Sequence, residues 1–234
     1  LERAMADADR LQRSLTYELP FRPADRPDGM IKLMLSPLPA SASISDDDGA
    51  YVVIADLNRN GAEERAAELD GISGDLLPDG AHLGLPVDVS KEESVRELIA
   101  FIRRRYGGLD LVVSNAGVLK AGPVTELELS DFELVTKVNY TGFFLVTRNA
   151  APVLGLQNAA YRAMVGRAGA AGATADSGPR DYDYSAYYTD IVEMNSKSGL
   201  EGSNKNAAYA GSKFGGIGLV QSFALELVEH AIKV

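Results

Sequence analysis

Ser90 to Gly117 reads SKEESVRELIAFIRRRYGGLDLVVSNAG, and the order of its signals decides the fold class. Ser90 with Glu93 three residues later has the form of a capping box, in which a hydroxyl and a carboxylate satisfy the first amides of a helix. That helix is predicted to run to about Arg105 and to stop at Gly107-Gly108. Leu109–Ser114 follows as an apolar strand, and Asn115-Ala116-Gly117 forms a turn of small residues beyond it.

The same alternation extends in both directions. Upstream, Tyr51–Ala55 is a short apolar run ending in Asp56, the pattern of a buried strand. Glu63–Leu69 is predicted helical, and His82–Val87 is a second strand candidate. Downstream, Ser130 and Glu133 form a second capping box, opening a helix to about Ala150. Ile191–Asn195 is a fourth strand. Asn206 is expected to cap a helix over Ala207–His230, and Ile232–Val234 begins another strand. Strands alternating with helices imply an α/β fold, a doubly wound, Rossmann-like parallel sheet covered on both faces.

The N-terminal region reads differently. Leu1–Leu15 is expected to be a helix, followed by a linker to Gly29 containing Pro20, Pro23 and Pro27. Met30–Leu35 is a possible strand, and 36–48, SPLPASASISDDD, is loop-like. Residues 30–234 are then one domain. Within it, 154–190 breaks the rhythm, rich first in Ala and Gly and then in Tyr and Asp. It is read as a surface insertion, mobile in part, whose Tyr182, Tyr184, Tyr187 and Tyr188 either line a substrate entrance or pack on their own domain.

Composition narrows the function. The 234 residues are 46% hydrophobic and 24% charged, with no cysteine and a net charge of −10. A disulfide framework and thiolate metal sites are thereby excluded. The acidic balance disfavours nucleic acid and anionic membranes as partners. There is no apolar run of the ~18 residues that a membrane span needs, and the first ten residues lack a signal-peptide core. A cytoplasmic location is expected. His82 and His230 are isolated and read as surface or cap residues, so no metal is expected.

Tyr209 and Lys213, in YAGSK, lie four apart and so share one face of a helix. A tyrosine hydroxyl ionises near pH ~10 in isolation. A neighbouring ammonium favours its phenolate, making it a general acid or base for an alcohol or carbonyl. The bland alternative is a Tyr and a Lys on a solvated face. Ser196, in NSKSG, closes a predicted strand, where sites form in doubly wound sheets; its hydroxyl can polarise a substrate oxygen, or simply sit in a turn. Ser198 is a nearby competitor.

Asn115, Ala116 and Gly117 let backbone approach a ligand closely, or make an ordinary turn. Asn139, among Val135, Val138, Gly142 and Phe143, is either a satisfied structural amide or the holder of a water chain. Asp56 is placed to accept both adenosine-ribose hydroxyls and to repel a 2′-phosphate, which favours NAD over NADP; otherwise it is a turn or cap residue. Asp88 and Val89 follow the next strand, where an adenine edge fits, or belong to a loop before Ser90.

Together these motifs resemble the short-chain dehydrogenase/reductase family over Tyr51 to Val234. SNAG at 114–117, VNYTG at 138–142 and YAGSK at 209–213 match its N-A-G, helix-asparagine and Y-x-x-x-K motifs in order and spacing. The resemblance implies a catalytic tetrad of Asn139, Ser196, Tyr209 and Lys213. Tyr209 is then the acid/base. Lys213 lowers its pKa and holds the nicotinamide ribose, Ser196 orients the substrate oxygen, and Asn139 supports a proton relay. The cofactor implied is NAD, bound along Asp56, Asp88, Val89, Asn115, Ala116, Gly117, Tyr209 and Lys213. The stretch NSKSGLEGSNKNAAYAGSKFGGIGLVQSFALELVE is further similar to the sorbitol-6-phosphate 2-dehydrogenase branch and its relatives acting on sugar phosphates and polyols.

Two departures stand against that pattern. The family opens with T-G-x-x-x-G-x-G, whose glycines seat the pyrophosphate on a helix N-terminus. Here no glycine lies between Gly29 and Gly49, and Pro37, Pro39 and Asp46–Asp48 fill the space. Beyond position 234 the family continues with a substrate-covering segment and a last strand, so the fold is expected to be incomplete at both ends. Two functions follow. One is an NAD-dependent oxidoreductase on a sugar phosphate or polyol. The other is a non-catalytic or cofactor-binding-deficient module that interacts through its helices near 130–150 and 207–230. The second helix carries Phe214, Ile217, Val220, Phe223 and Leu227, so a homo-oligomer is expected through these surfaces.

Overall fold

The computed structural model describes residues 33–36, 50–73, 80–170 and 188–234. Six strands form one sheet: β1 (Leu33–Ser36), β2 (Tyr51–Asp56), β3 (Leu83–Pro86), β4 (Leu111–Ser114), β5 (Thr189–Glu193) and β6 (Ile232–Lys233). Their order is β3-β2-β1-β4-β5-β6. The pairs β2–β3, β4–β5 and β5–β6 are parallel. The helices are α1 (Arg59–Ser73), α2 (Glu92–Tyr106), α3 (Leu129–Val135), α4 (Gly142–Ala170) and α5 (Ala207–Leu227). The doubly wound α/β expectation holds for this frame.

The central strand departs from it. β1 runs antiparallel to both neighbours, with Leu33 opposite Ile54, Ser36 opposite Tyr51 and Met34 opposite Val112. A parallel neighbour needs a crossover that returns the chain to the other edge. Here Ser36 and Tyr51 face each other at the amino end of β2. Asp46–Asp48, expected to repel a pyrophosphate, lie outside the described residues.

Period-two alternation assigns the faces. Val53 and Ala55 of β2, Val112 of β4 and Ile191 of β5 join Val95, Leu98, Ile99, Ile102, Phe143, Val146 and Leu154 in the main core, under α2 and α4. α5 closes the same layer, with Phe223 edge-on to Phe143 at 5.7 Å between ring centres. On the other face Val52 and Ile54 pack with Ala62 and Leu69 of α1. α1 lies so close to β3 that a Cβ on Gly84 would overlap backbone atoms of Ala62 and Glu63.

α2 keeps its predicted stop. Gly107 takes a left-handed φ of 83° and its amide donates to the Arg103 carbonyl at 3.0 Å. Glu92 and Glu93 in the first turn and Arg103, Arg104 and Arg105 in the last complement the helix dipole. The caps differ from expectation. Neither capping box forms: α2 begins after Lys91 and α3 after Glu128, each without a side-chain cap. Ser90 instead donates its hydroxyl to Asp88 at 2.6 Å, a local bond that competes with helix capping. Asn206 does occupy the position before α5, but its Nδ2 turns to Ser203 at 3.0 Å and caps nothing.

α3 passes without a break through a π-helical turn, Thr136–Thr141, into α4. α4 continues to Ala170, past the expected end near Ala150, so the first half of 154–190 is regular helix anchored by buried Leu154 and Asn158. The expected helix Leu1–Leu15 and the tyrosines at 182, 184 and 187 lie outside the described residues. Tyr188 precedes β5 at its amino end, away from the carboxyl edge, with the Lys233 ammonium 5.1 Å from its ring centre. It therefore does not line an entrance there.

Candidate active site

The carboxyl ends of β2, β3, β4 and β5 share one edge, and the expected chemical residues gather along it. After β4 the chain runs through Asn115, Ala116 and Gly117, all half-buried. It is then fastened at Val118. Asn139 accepts the Val118 amide through Oδ1 at 2.7 Å and returns Nδ2 to its carbonyl at 3.0 Å. The same Nδ2 reaches Ser212 Oγ at 3.1 Å. Asn139 is 3% exposed, so its polar groups require such partners. It sits in the π-helical turn, a local widening often found at functional sites. In this geometry it is a clamp between the β4 loop and α5.

Ser212 passes the link on, donating to the Tyr209 carbonyl at 2.7 Å. Tyr209 is half-buried on α5, and Lys213, one turn later, is buried. Its Nζ contacts Glu193 Oε1 at 3.3 Å and donates to the Met194 carbonyl. Asn195 ties this turn of helix to the end of β5: Nδ2 donates to the Lys213 carbonyl at 3.0 Å, and Oδ1 accepts the Ser196 amide at 2.7 Å. Ser196 Oγ accepts the Ser198 amide at 3.2 Å, capping the 3-10 turn Lys197–Gly199. Ser198 is thus a partner of Ser196. Asn139, Ser196, Tyr209 and Lys213 are joined through Ser212 and Asn195.

The remaining candidates divide. Asp56 closes β2, with Oδ1 accepting the Asn58 amide at 2.8 Å, so it also shapes the turn into α1. Asp88 accepts the Ser90 amide at 3.0 Å and pairs with Lys91 at 2.9 Å. Burial alone would raise its pKa, but the Ser90 hydroxyl and amide and the Lys91 ammonium outweigh that and hold it below the ordinary value. Val89 packs in the core, where a Cβ on Gly142 would lie 2.9 Å from its Cγ2. Its side chain is therefore occupied.

Two residues escaped the sequence reading. Glu193 was hidden inside a strand; its signal is an acid two positions after Ile191, on the core face. His82, expected as a surface or cap residue, is only 2% exposed. Its Nδ1 accepts the Val52 amide at 3.1 Å and its Nε2 lies 2.7 Å from Ser73 Oγ. It is a structural residue joining α1 to β2. Among the described residues no group of three or more His, Cys, Asp or Glu is placed to hold a metal. No described helix is long and apolar enough to cross a membrane.

A dinucleotide fits this edge in part. A carboxylate at the end of β2 suits ribose hydroxyls, the small residues 115–117 suit close backbone approach, and Lys213 offers an ammonium. The centre of the edge differs: β1 enters the sheet there at Leu33, so among the described residues no strand ends at that point in a turn leading into a helix.

Comparison with known proteins places these features. A family profile described as enoyl-(acyl carrier protein) reductase matches residues 40–175, and one described as short chain dehydrogenase matches 184–234. The chain is 32% identical over 187 residues to sorbitol-6-phosphate 2-dehydrogenase of Escherichia coli (strain K12), covering 80% of this chain and 60% of that protein. It is 29% identical over 195 residues to D-threitol dehydrogenase of Mycolicibacterium smegmatis, covering 83% and 62%. A crystal structure of sorbitol-6-phosphate 2-dehydrogenase from Erwinia amylovora matches with a TM-score of 0.60 at 32% identity, over 78% of this chain and 59% of that one. The chain thus spans about three-fifths of the length of these relatives.

Proposed function

The chain belongs to the short-chain dehydrogenase/reductase family, and on that premise we propose that it transfers a hydride between NAD and a secondary alcohol or ketone of a sugar phosphate or polyol. The observation that carries the proposal is the linkage of Tyr209, Lys213, Ser196 and Asn139 at the carboxyl edge, through Ser212 and Asn195. When bound, the nicotinamide supplies or accepts the hydride. Tyr209 gives a proton to, or takes one from, the substrate oxygen. Lys213 favours the phenolate from one turn away. Ser196 donates a hydrogen bond to the same oxygen, and Asn139 keeps the Asn115–Val118 loop in register beside α5.

NAD is proposed over NADP because a carboxylate at Asp56 opposes a 2′-phosphate. The substrate class rests on relatives named for sorbitol 6-phosphate and D-threitol. The cysteine-free composition fits a reducing cytosol. Residues 30–234 are read as one domain. A homo-oligomer is supported by a groove of about 440 Å³ between α4 and α5, lined by Phe144, Leu156 and Phe223 among others. Phe144 and Leu156 are exposed in its wall.

One observation favours a second reading. With β1 reversed, the described residues hold no strand–turn–helix at the centre of the edge, which suits a cofactor-binding-deficient interaction module. Two measurements separate the readings: calorimetry of NAD and NADP binding, and NADH absorbance with sorbitol 6-phosphate and related polyols. Turnover lost in Tyr209→Phe supports the enzyme. No NAD binding, with a folded chain that self-associates, supports the module.

A further inference from the structure

We propose that Glu193 is a positioning residue for Lys213, holding its ammonium from the sheet side and setting the net charge that Tyr209 meets. The assignment rests on the reading of Tyr209 and Lys213 as an acid–base pair. Its basis is a pair withdrawn from solvent: Lys213 Nζ lies 3.3 Å from Glu193 Oε1, with side chains 6% and 3% exposed. Three neighbours fit themselves to that pair. The Met194 carbonyl accepts a further N–H from the same ammonium. Asn195 fixes the helix backbone at Lys213. Gly216 faces the carboxylate, and a Cβ there would come within 3.1 Å of Glu193 Oε1.

An ammonium has three N–H groups. Two are taken up by β5 and the residue after it, so the third is directed away from those acceptors. Lys213 is thereby held in one orientation rather than left on a flexible stem. The charge consequence follows. A lone buried ammonium one turn from a tyrosine favours the phenolate strongly. A carboxylate 3.3 Å from that ammonium cancels much of its field.

The other charged groups around α5 differ in kind. The 3-10 turn brings Lys197, paired in solvent with Glu201 at 2.7 Å. The π-helical turn brings exposed Lys137 and Tyr140, whose ring lies against Gly215. α3 brings Glu133 and Asp131, the latter paired with Lys120 at 3.4 Å. α4 brings Arg148, 3.6 Å from Glu92. Glu229, His230 and Lys233 lie beyond the far end of α5. All except Tyr140 and the half-buried Asp131 are exposed and screened by salt. Glu193 is the buried counter-charge of Lys213 among the described residues.

The test uses the cofactor-free chain labelled with ¹³Cζ-tyrosine. The Tyr209 signal is identified by its loss in Tyr209→Phe, and its pH profile is followed by NMR. Glu193→Gln should move the midpoint of that profile to lower pH by about one unit. Glu193→Met, of similar volume and uncharged, should do the same, while Glu193→Asp should stay near the parent. Lys213→Met should move it to higher pH. Folded Gln and Met variants with the parent midpoint, beside a shifted Lys213→Met, would overturn the role of Glu193 and leave the Tyr209–Lys213 pair standing. An unmoved Lys213→Met profile would instead remove the pair. Loss of fold in both uncharged variants, with Glu193→Asp folded, would make Glu193 a stability residue and equally overturn the assignment.

Discussion

Asn195 joins Ser196 to Lys213, accepting the Ser196 amide at 2.7 Å and donating to the Lys213 carbonyl at 3.0 Å. It thus ties the end of β5 to α5. Gly199 is packed so tightly against Asn195 Oδ1 that a Cβ there would overlap it. Asn195→Ala removes both bonds and should lower unfolding stability by about 1–3 kcal/mol. Urea denaturation measures that cost. Because Ser196 loses the partner of its amide, turnover in the proposed reaction should fall further than stability alone explains. Equal stability in the variant and the parent would show that the bridge holds nothing.

Gly84 sets the distance between β3 and α1. The Cβ of an alanine there would overlap the Glu63 nitrogen and the Ala62 carbonyl carbon, which belong to helix backbone and cannot rotate aside. Gly84→Ala should destabilise the domain by about 1–3 kcal/mol, the usual cost of overpacking. A thermal melt reads the effect, and an unshifted midpoint would mean that α1 stands farther from the sheet than the structure places it.

His82 gives the fold a pH dependence of defined sign. Its Nδ1 accepts the Val52 amide, which only the neutral ring can do. Burial lowers its pKa below the ordinary 6.5, against a smaller opposing effect of Asp70. Below pH 6.5 the unfolded chain therefore takes up a proton that the folded chain resists. The stability from this group is full above that pH and is lost as pH falls toward the folded value. Urea unfolding across pH 5 to 8 should show this slope, and His82→Gln should flatten it. An equal slope in the variant would assign the effect to other groups.

The parts of the fold legible in sequence were those with strong local signals. YVVIAD, LVVS and the helix over Glu92–Tyr106 announced themselves by apolar pattern and a glycine stop. The neighbourhood of Asn139, Ser196, Tyr209 and Lys213, whose joint role is proposed above, was legible because motif order and spacing fix these residues along the chain. The direction of β1 was not, because its short run of three apolar residues and a serine pairs equally well either way and direction is set by the connection. Glu193 and His82 were illegible for a related reason. A buried charge or imidazole is acceptable only through partners distant in sequence, here Lys213 and Val52.

Asp56 combines two roles that one pair of substitutions can separate. Its Oδ1 accepts the Asn58 amide at 2.8 Å and so shapes the turn into α1. Asn58 in turn accepts the Gly61 amide at 3.1 Å, capping that helix. In the proposed function the negative charge of Asp56 also opposes a 2′-phosphate. Asp56→Asn keeps an oxygen for Asn58 and removes the charge, so the turn should survive with little change in stability. Asp56→Ala removes both and should cost about 1 kcal/mol, as losses of such local side-chain acceptors do. Discrimination between cofactors should weaken in both variants. Relief of like-charge repulsion worth ~1.4 kcal/mol would narrow the ratio of NAD to NADP dissociation constants by about tenfold. Calorimetry with each dinucleotide on parent, Asn and Ala chains reads the ratio directly. A ratio unchanged in Asp56→Asn would leave this carboxylate with its structural role alone and move the basis for cofactor choice elsewhere along the edge.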